Sequence, residues 1–419
     1  MPDFKEFGRI GQLRSAGHFY EEFLPELQGT RGIEVYKEMS ENDDIVGSIL
    51  FAIEMLIRGC EWDVQPASDT TEDINAAQFV KECMDDMSDT WIDTISEILS
   101  MLTYGWSAHE IVYKRRCGRR RDPRLKSKYN DGLIGWQKLP IRAQETLHAW
   151  VYKEGTDDLV AMQQSPPPDY GIIEIPVEKL LLFRTKKRKG NPEGRSILRN
   201  AYRSWYFKKR IQEIEGIGIE RDLAGFPVLK APPNLDIWDS EDPIARKYLS
   251  DATKLVSEIR RDAQEGAVLP DGWELTLLST GGQRQFDTNQ IIERYDSRIA
   301  MTVLADFVLL GHQNVGTYSL GADKSQLFSV AIGAYLDIIQ EVFNNKAIPN
   351  LIDINGDAFA GITDYPQLIH SEIENRDIQS LADYIQKLAG VGLMTPSDEL
   401  EQYLRNAAKL PEKTDNEVE

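Results

Sequence analysis

Cysteine is scarce: the 419-residue chain carries Cys60, Cys83 and Cys117, with no CxxC pair among them. An odd, widely spaced set supports neither a disulfide framework nor a zinc ribbon, and a reducing cytoplasm fits it best. Long apolar runs are missing too. The most apolar stretch, Ile45 to Ile57, contains Glu54, and it is too short and too polar to cross a bilayer. The opening MPDFKEFGRI lacks the basic and apolar regions of a secretory leader. A soluble chain without membrane contact is the expectation. Positive charge is in deficit, with 48 Lys and Arg against 68 Asp and Glu, a net charge of −20. That balance argues against passive wrapping of nucleic acid, which needs cations to displace counterions.

Signatures of catalysis are equally thin. Neither GxxxxGK[ST] nor GxSxG occurs, so the chain is not expected to hydrolyse ATP or to carry a nucleophile elbow. His109-Glu110 begins an HExxH pattern, but Tyr113 stands where the second ligand is required. Gly216-Ile-Gly218 lacks the third glycine of a dinucleotide fingerprint and lies late in a helical stretch. Asp353-Ile-Asn355-Gly356-Asp357 resembles a calcium loop faintly, its glycine two positions early, and reads as a turn. The chain reads as a non-enzyme with no cofactor and no metal.

What is present is organised around Gly190 to Pro227. Asn191-Pro192 and Gly194 punctuate its start. Apolar residues then recur at Leu198, Ala201, Tyr202, Trp205, Ile211, Ile214 and Leu223, close to one helix face. Gly216 and Gly218 interrupt it and point to a bend or a close helix contact. A partner helix follows. Asp287 to Gln290 reads as a capping box, and Ile292, Tyr295, Ile299, Val303 and Phe307 form a stripe ending at Gly311.

Around this pair the chain alternates helices and strands, which predicts an α+β fold of at least two domains. Residues 1–30 show no sustained period and read as an arm that packs on something else. Arg31 to Ile57 is helical, with Asp43-Asp44 opening its stronger half. Glu61 to Pro66 reads as an edge strand, Asp73 to Met84 and Trp91 to Leu102 as helices, and Trp106 to Tyr113 as a strand after Gly105. Gly135 to Val151 and Gly171 to Phe183 read as strands, Lys324 to Asn345 as a helix, and Ile348 to Ile354 as a short strand. Between the two long helices, Val228 to Lys230, Ala267 to Leu269 and Trp273 to Leu278 read as strands around a helix from Asp242 to Glu265. Residues 372–409 read as helical, with a short acidic tail beyond Pro411.

Two basic clusters stand out against the acidic background. Lys114 to Lys128 holds nine basic residues and one Asp. A solvated hairpin tip is the plain reading, and a loop facing DNA or a protein is the functional one. The contact candidates there are Arg115, Arg116, Arg119, Arg120 and Arg121. In the second cluster they are Lys186, Lys187 and Arg188. Arg195, Arg199 and Arg203 make the start of the long helix positive, against its macrodipole. This predicts a nearby anionic partner, with an acidic neighbouring subunit favoured over DNA.

The GNPEGRSIL turn, the long helix, the inserted module and the capped second helix with its Gly-rich loop resemble the portal proteins of tailed bacteriophages, near the Mu-like portal family. The resemblance covers roughly residues 31–370. It implies a portal fold with a mixed α/β wing (31–195), a stem of two long helices (196–224 and 286–310) and a small α/β clip (225–285). A tunnel loop (311–323), a helix returning to the wing (324–370) and a helical crown with an acidic tail (371–419) follow. The resemblance further implies a ring of twelve copies at one capsid vertex, assembled in the host cytoplasm, through which double-stranded DNA is packaged, retained and ejected. Terminase large subunit, head–tail adaptor and major capsid protein are the implied partners. In the tunnel loop, His312, Gln313, Asn314, Thr317, Tyr318 and Ser319 would face DNA without a Lys or Arg to grip phosphates. The alternatives are a nucleic-acid-processing enzyme using the basic stretches with scattered carboxylates, and another virion scaffold protein.

Overall fold

The computed structural model describes residues 8–224, 226–239, 241–258, 268–278, 287–303 and 318–373. The chain opens with a short hairpin, β1 (Arg14–Ser15) and β2 (His18–Phe19), followed by α1 (Gly29–Asn42) and α2 (Asp44–Arg58). The break between the helices is local chemistry. Asp43 takes an extended backbone, φ −100° and ψ 119°, and its side chain accepts from the N–H groups of Ile45 and Val46. That is an N-cap satisfying donors that the first turn leaves free.

Next come β3 (Trp62–Gln65), α3 (Thr71–Asp85), α4 (Trp91–Ile98) and α5 (Ser100–Tyr104). Gly105 ends α5 in the left-handed region, φ 93°, and feeds β4 (Trp106–Glu110) and β5 (Val112–Arg115). Further strands are β6 (Ile134–Lys138), β7 (Leu147–Tyr152), β8 (Leu159–Gln164), β9 (Ile173–Pro176) and β10 (Leu180–Arg184). β7, β8 and β9 form an antiparallel sheet, β4 pairs with β10, and β5 pairs with β6. The sequence reading missed β8, because its polar ends and the Pro-rich loop after it hide a short period-2 run.

A 3-10 turn at Ile197–Asn200 leads into α6 (Tyr202–Ala224), then β11 (Phe226–Lys230), α7 (Pro243–Glu258) and β12 (Glu274–Leu278). β11 and β12 pair antiparallel, so the described residues of the inserted module form a two-stranded ribbon with one helix. The expected strand at Ala267 to Leu269 is not formed at Val268 and Leu269, and Ala267 lies outside the described residues. The chain returns as α8 (Thr288–Thr302), α9 (Tyr318–Val342), a π turn at Phe343–Ala347, α10 (Ile348–Ile354) and β13 (Gln367–His370).

Ile348 to Ile354 is therefore a helix and not a strand. Ile348, Leu351 and Ile352 are buried on one helix face, and α10, with Pro349 as its second residue, follows directly on the π turn. β-branched composition misled; the i, i+3, i+4 spacing was the better guide. β13 was also unforeseen, and it supplies the partner of β3, with Leu368 opposite Val64. The region read as helical beyond Glu372 falls almost wholly outside the described residues.

The main core gathers Ile49, Ile53 and Ile57 of α2, Phe79 and Val80 of α3, Trp136, Phe183, and Leu336, Ile339 and Phe343. Each such side chain contributes about 1.5–3 kcal/mol on full burial. A second cluster joins Tyr36, Met39 and Val46 to Leu198, Tyr202, Trp205 and Ile299, at the foot of α6 and α8. A third lies under the β7–β9 sheet, around Phe19, Trp106, Trp150 and Met162. The described part of the N-terminal arm packs on its own chain. Arg14 pairs with Asp157 at 2.9 Å, and Lys189 with Glu21 at 3.2 Å.

Candidate functional site

The features that set this molecule apart from a plain α+β body lie where α6 leaves it. The turn before α6 is wedged against the start of β4. Gly194 has φ 59° and Gly105 φ 93°, and each lies where the other's segment would collide with a side chain. A Cβ on Gly105 would sit 2.7 Å from the Ser196 nitrogen, and one on Gly194 would strike the Gly105 carbonyl oxygen. Thr185 closes the joint, its N–H donating to that carbonyl at 3.1 Å and its hydroxyl to the carbonyls of Gly105 and Arg195. Two backbones touch here because neither carries a side chain.

Glu193 sits in the same turn. It accepts from Trp150 Nε1 at 3.1 Å, and burial pushes its carboxyl up to about 7 from an ordinary 4.5. It lines a cavity of about 460 Å³ between the arm, α1 and the turn, shared with Tyr36, Arg188, Arg195 and Arg199. Because the folded state holds the proton more tightly than the unfolded chain, Glu193 favours folding fully below about pH 4.5, and this is lost as pH rises through 7. At roughly 1.4 kcal/mol per pH unit, wild type loses about 2–3 kcal/mol between pH 5 and 8 relative to Glu193→Gln, which keeps the acceptor for Trp150. Urea denaturation of both proteins at the two pH values checks this. Parallel pH profiles would refute it.

Of the three cations at the start of α6, Arg199 finds a counter-charge within the chain. Arg199 forks onto Glu22 of the arm, with Nη2 to Oε1 at 2.6 Å, and Arg195 donates to Asn200 at 2.8 Å. Burial raises the Glu22 carboxyl, yet the Arg199 contact holds it below its ordinary range. An anion that offsets one of these cations is thus the chain's own Glu22.

α8 runs back along α6 antiparallel, with Tyr295 stacked on Phe207 and Asp296 beside Lys208. Lys208 is 1% exposed. Its ammonium lies 3.0 Å from Asp43, 3.1 Å from Asp44 and 2.6 Å from Asp296. One cation therefore ties the cap of α2 to both long helices. No local signal in the sequence marks Lys208, one of three consecutive basic residues, as interior. Elsewhere the helix pair exposes apolar side chains: Ile214 is 67% exposed, Ile217 51% and Met301 52%. A Cβ on Gly216 or Gly218 would meet nothing within 4 Å, and α6 runs through both. The expected close helix contact is absent among the described residues.

Of the tunnel-loop candidates, His312, Gln313, Asn314 and Thr317 lie outside the described residues. Tyr318 and Ser319 open α9, so the last part of the 311–323 stretch is helical. The basic residues divide. Arg115, Arg119, Arg120 and Arg121 are exposed, whereas Arg116 is 1% exposed and pairs with Glu82 at 2.6 Å and Asp131 at 2.7 Å. Arg116 is thus structural and unavailable to a partner. Lys186, Lys187 and Arg188 are exposed at the other end of the β4–β10 ladder, which runs from Leu180 opposite Glu110 to Arg184 opposite Trp106. The two clusters are separated by that ladder, roughly 17 Å at about 3.4 Å per residue.

His109 is a core residue. Its Nδ1 donates to the Leu139 carbonyl at 2.8 Å, its Nε2 accepts from Ser107 at 2.8 Å, and burial holds it down to about 4. Asn355 bridges the Ile134 N–H and carbonyl at 2.8 Å each, so the Asp353–Asp357 stretch is a helix-ending turn. Among the described residues no group of three or more His, Cys, Asp or Glu is placed to hold a metal, and no helix is long and apolar enough to cross a membrane.

Several solved structures align with most of the chain. A chain from the neck of an empty GTA particle computed with C6 symmetry aligns at 11% identity and a TM-score of 0.49, over 91% of this chain and 94% of that one. One from the neck of a native GTA particle computed with C12 symmetry aligns at 10% and 0.48, with the same coverage. An HK97-family phage portal protein from Corynebacterium diphtheriae aligns at 11% and 0.41, over 81% of this chain and 94% of that one. The assignment rests on sequence instead. The family model described as the portal protein of Mu bacteriophage matches residues 33–409. With nearly the whole chain inside that match, this protein belongs to the Mu-type family of phage portal proteins.

Proposed function

We propose that copies of this chain close into a ring at one capsid vertex and form the channel through which double-stranded DNA enters and leaves the particle. The observation that carries this is the set of apolar side chains that the α6–α8 pair leaves exposed. Ile214 and Ile217 of α6 and Met301 of α8 are exposed, on helices buried at their foot through Tyr202, Trp205 and Ile299. A long apolar helix face left in water is covered in the functional state, and a rotationally repeated contact between copies covers it while closing on itself. The α6–α8 pair is then the stem, the β11–α7–β12 module the clip that docks terminase large subunit and the head–tail adaptor, and residues 31–195 the wing that meets the major capsid protein. The 311–323 stretch lines the narrowest part of the channel.

Light scattering with negative-stain imaging of the purified protein tests the ring. The expected result is a closed ring of about twelve copies, a heterologous assembly with a central hole. Ile214→Glu combined with Ile217→Glu is expected to leave a folded monomer and no rings. A compact dimer for the wild type, with no ring under any condition, would sink the proposal.

A further inference from the structure

We infer that the β5–β6 loop is a preformed docking platform for the phosphate backbone of double-stranded DNA, on a molecule whose net charge otherwise repels it. The nine basic residues between Lys114 and Lys128 fall into two groups. Four are used internally. Lys114 pairs with Asp86 at 2.8 Å, Arg116 with Glu82 and Asp131, Arg124 with Asp122 at 2.8 Å, and Lys128 donates to the Asp85 carbonyl. The other five, Arg115, Arg119, Arg120, Arg121 and Lys126, are exposed and have no ion pair among the described residues. Of these, Arg120 alone is tied back, its Nε donating to the Cys117 carbonyl at 3.2 Å.

The internal group holds the loop still. Asp86 accepts from the Ser127 hydroxyl at 2.6 Å and the Lys128 N–H at 2.8 Å, while Arg116 lies over the Tyr129 ring at 4.0 Å. Within the loop, backbone bonds join Gly118 to Tyr129 at 2.7 Å and Ser127 to Gly118 at 2.9 Å. Buried charge thus builds the platform and leaves the unpaired cations at its surface. Cations held in place lose less freedom on meeting a partner than cations on a mobile tip.

The chemistry of the five selects the partner. Four are arginines, whose planar forks match phosphate oxygens. Leu125 is the large apolar side chain exposed beside them, whereas a protein partner's interface is centred on buried aromatic and apolar anchors. A polyanion fits such a surface better than a protein face does. The inference does not depend on ring formation, because the platform is complete in one chain.

Binding of a fluorescein-labelled 24-base-pair duplex to the full-length protein, followed by anisotropy from 50 to 200 mM KCl, is the test. Five phosphate contacts give a log–log salt slope of about −4.5, at about 0.9 per contact. The triple variant Arg119→Gln, Arg120→Gln, Arg121→Gln is expected to bring the slope to about −1.8 and weaken binding at least tenfold at 50 mM. These side chains hold no part of the loop's ion-pair frame, so the fold is kept. The variant Lys186→Gln, Lys187→Gln, Arg188→Gln removes the same charge from the far end of the ladder and is expected to change neither quantity. An unchanged slope in the first variant would overturn the inference, as would an equal fall in both. Displacement of the duplex by poly-glutamate at matched charge would identify an acidic polypeptide as the ligand and overturn it too. Light scattering on the same samples reads ring formation separately, so loss of rings and loss of DNA binding are told apart.

Discussion

Lys208→Met is expected to destabilise the folded chain by about 3–5 kcal/mol, the usual cost of stripping one partner from a buried ion cluster. The reason is what remains. Asp43 is buried and Asp296 is mostly so, and burial already raises the Asp296 carboxyl even with Lys208 beside it. Without the ammonium, both face a low-dielectric interior where an unpaired charge is costly. Asp43 retains some compensation, because its carboxylate also accepts from the Ile45 and Val46 N–H groups at 3.1 Å. Asp296 has no such helix terminus to lean on. Adding Asp296→Asn to Lys208→Met should therefore recover a large part of the loss, whereas adding Asp44→Asn, whose side chain is 86% exposed, should recover little. Equilibrium urea denaturation at constant m reads all three. A loss below about 1 kcal/mol for the single variant would mean that the cluster is solvated and surface-like.

Gly105→Ala is the second large effect, at about 3 kcal/mol. Its left-handed backbone costs an alanine roughly 1–2 kcal/mol. The new methyl also falls 2.7 Å from the Ser196 nitrogen and 2.8 Å from the Arg195 carbonyl carbon. Neither is the movable end of a side chain, and overpacking of this sort adds about 1–3 kcal/mol. Gly216→Ala is the internal contrast. Open space surrounds that position, and replacing a mid-helix glycine gains about 1 kcal/mol. Opposite signs for two Gly→Ala changes in one protein are the expected result, read as shifts in urea midpoint. If both changes were neutral, the joint between the turn and β4 would be looser than its hydrogen bonds imply.

The two glycines show what a sequence carries and what it does not. Gly194 stood in a recognisable turn, because Asn-Pro and Gly punctuate wherever they occur. Nothing near Gly105 in the chain says that Ser196 will lie against it, 91 positions on. The same divide runs through the basic loop. Lys114 and Arg116 read as members of a solvated run, because charge runs usually are. Their burial depends on Glu82 and Asp86, brought by the packing of α3 on the β5–β6 hairpin, and on Asp131 from the far end of the loop. At the start of α6, nothing near Arg199 in the chain says that Glu22, 177 positions earlier, will lie against it. Ile348–Ile354 went astray for a different reason, since a short apolar run of β-branched residues is ambiguous until its period is counted.

The sequence by itself determined most of the order of elements, with β8, α10 and β13 the exceptions, and with it the capped start of α8, the paired long helices and the family. These rest on local signals: turn residues, caps and apolar periods act over a few positions and survive without a tertiary context. Tertiary structure alone decided which charges are interior, where two backbones touch, and which apolar residues of α6 and α8 are left exposed. Each of those depends on residues far apart in the chain meeting in space. A lysine is at home in water or inside a ring of carboxylates, and packing chooses between the two.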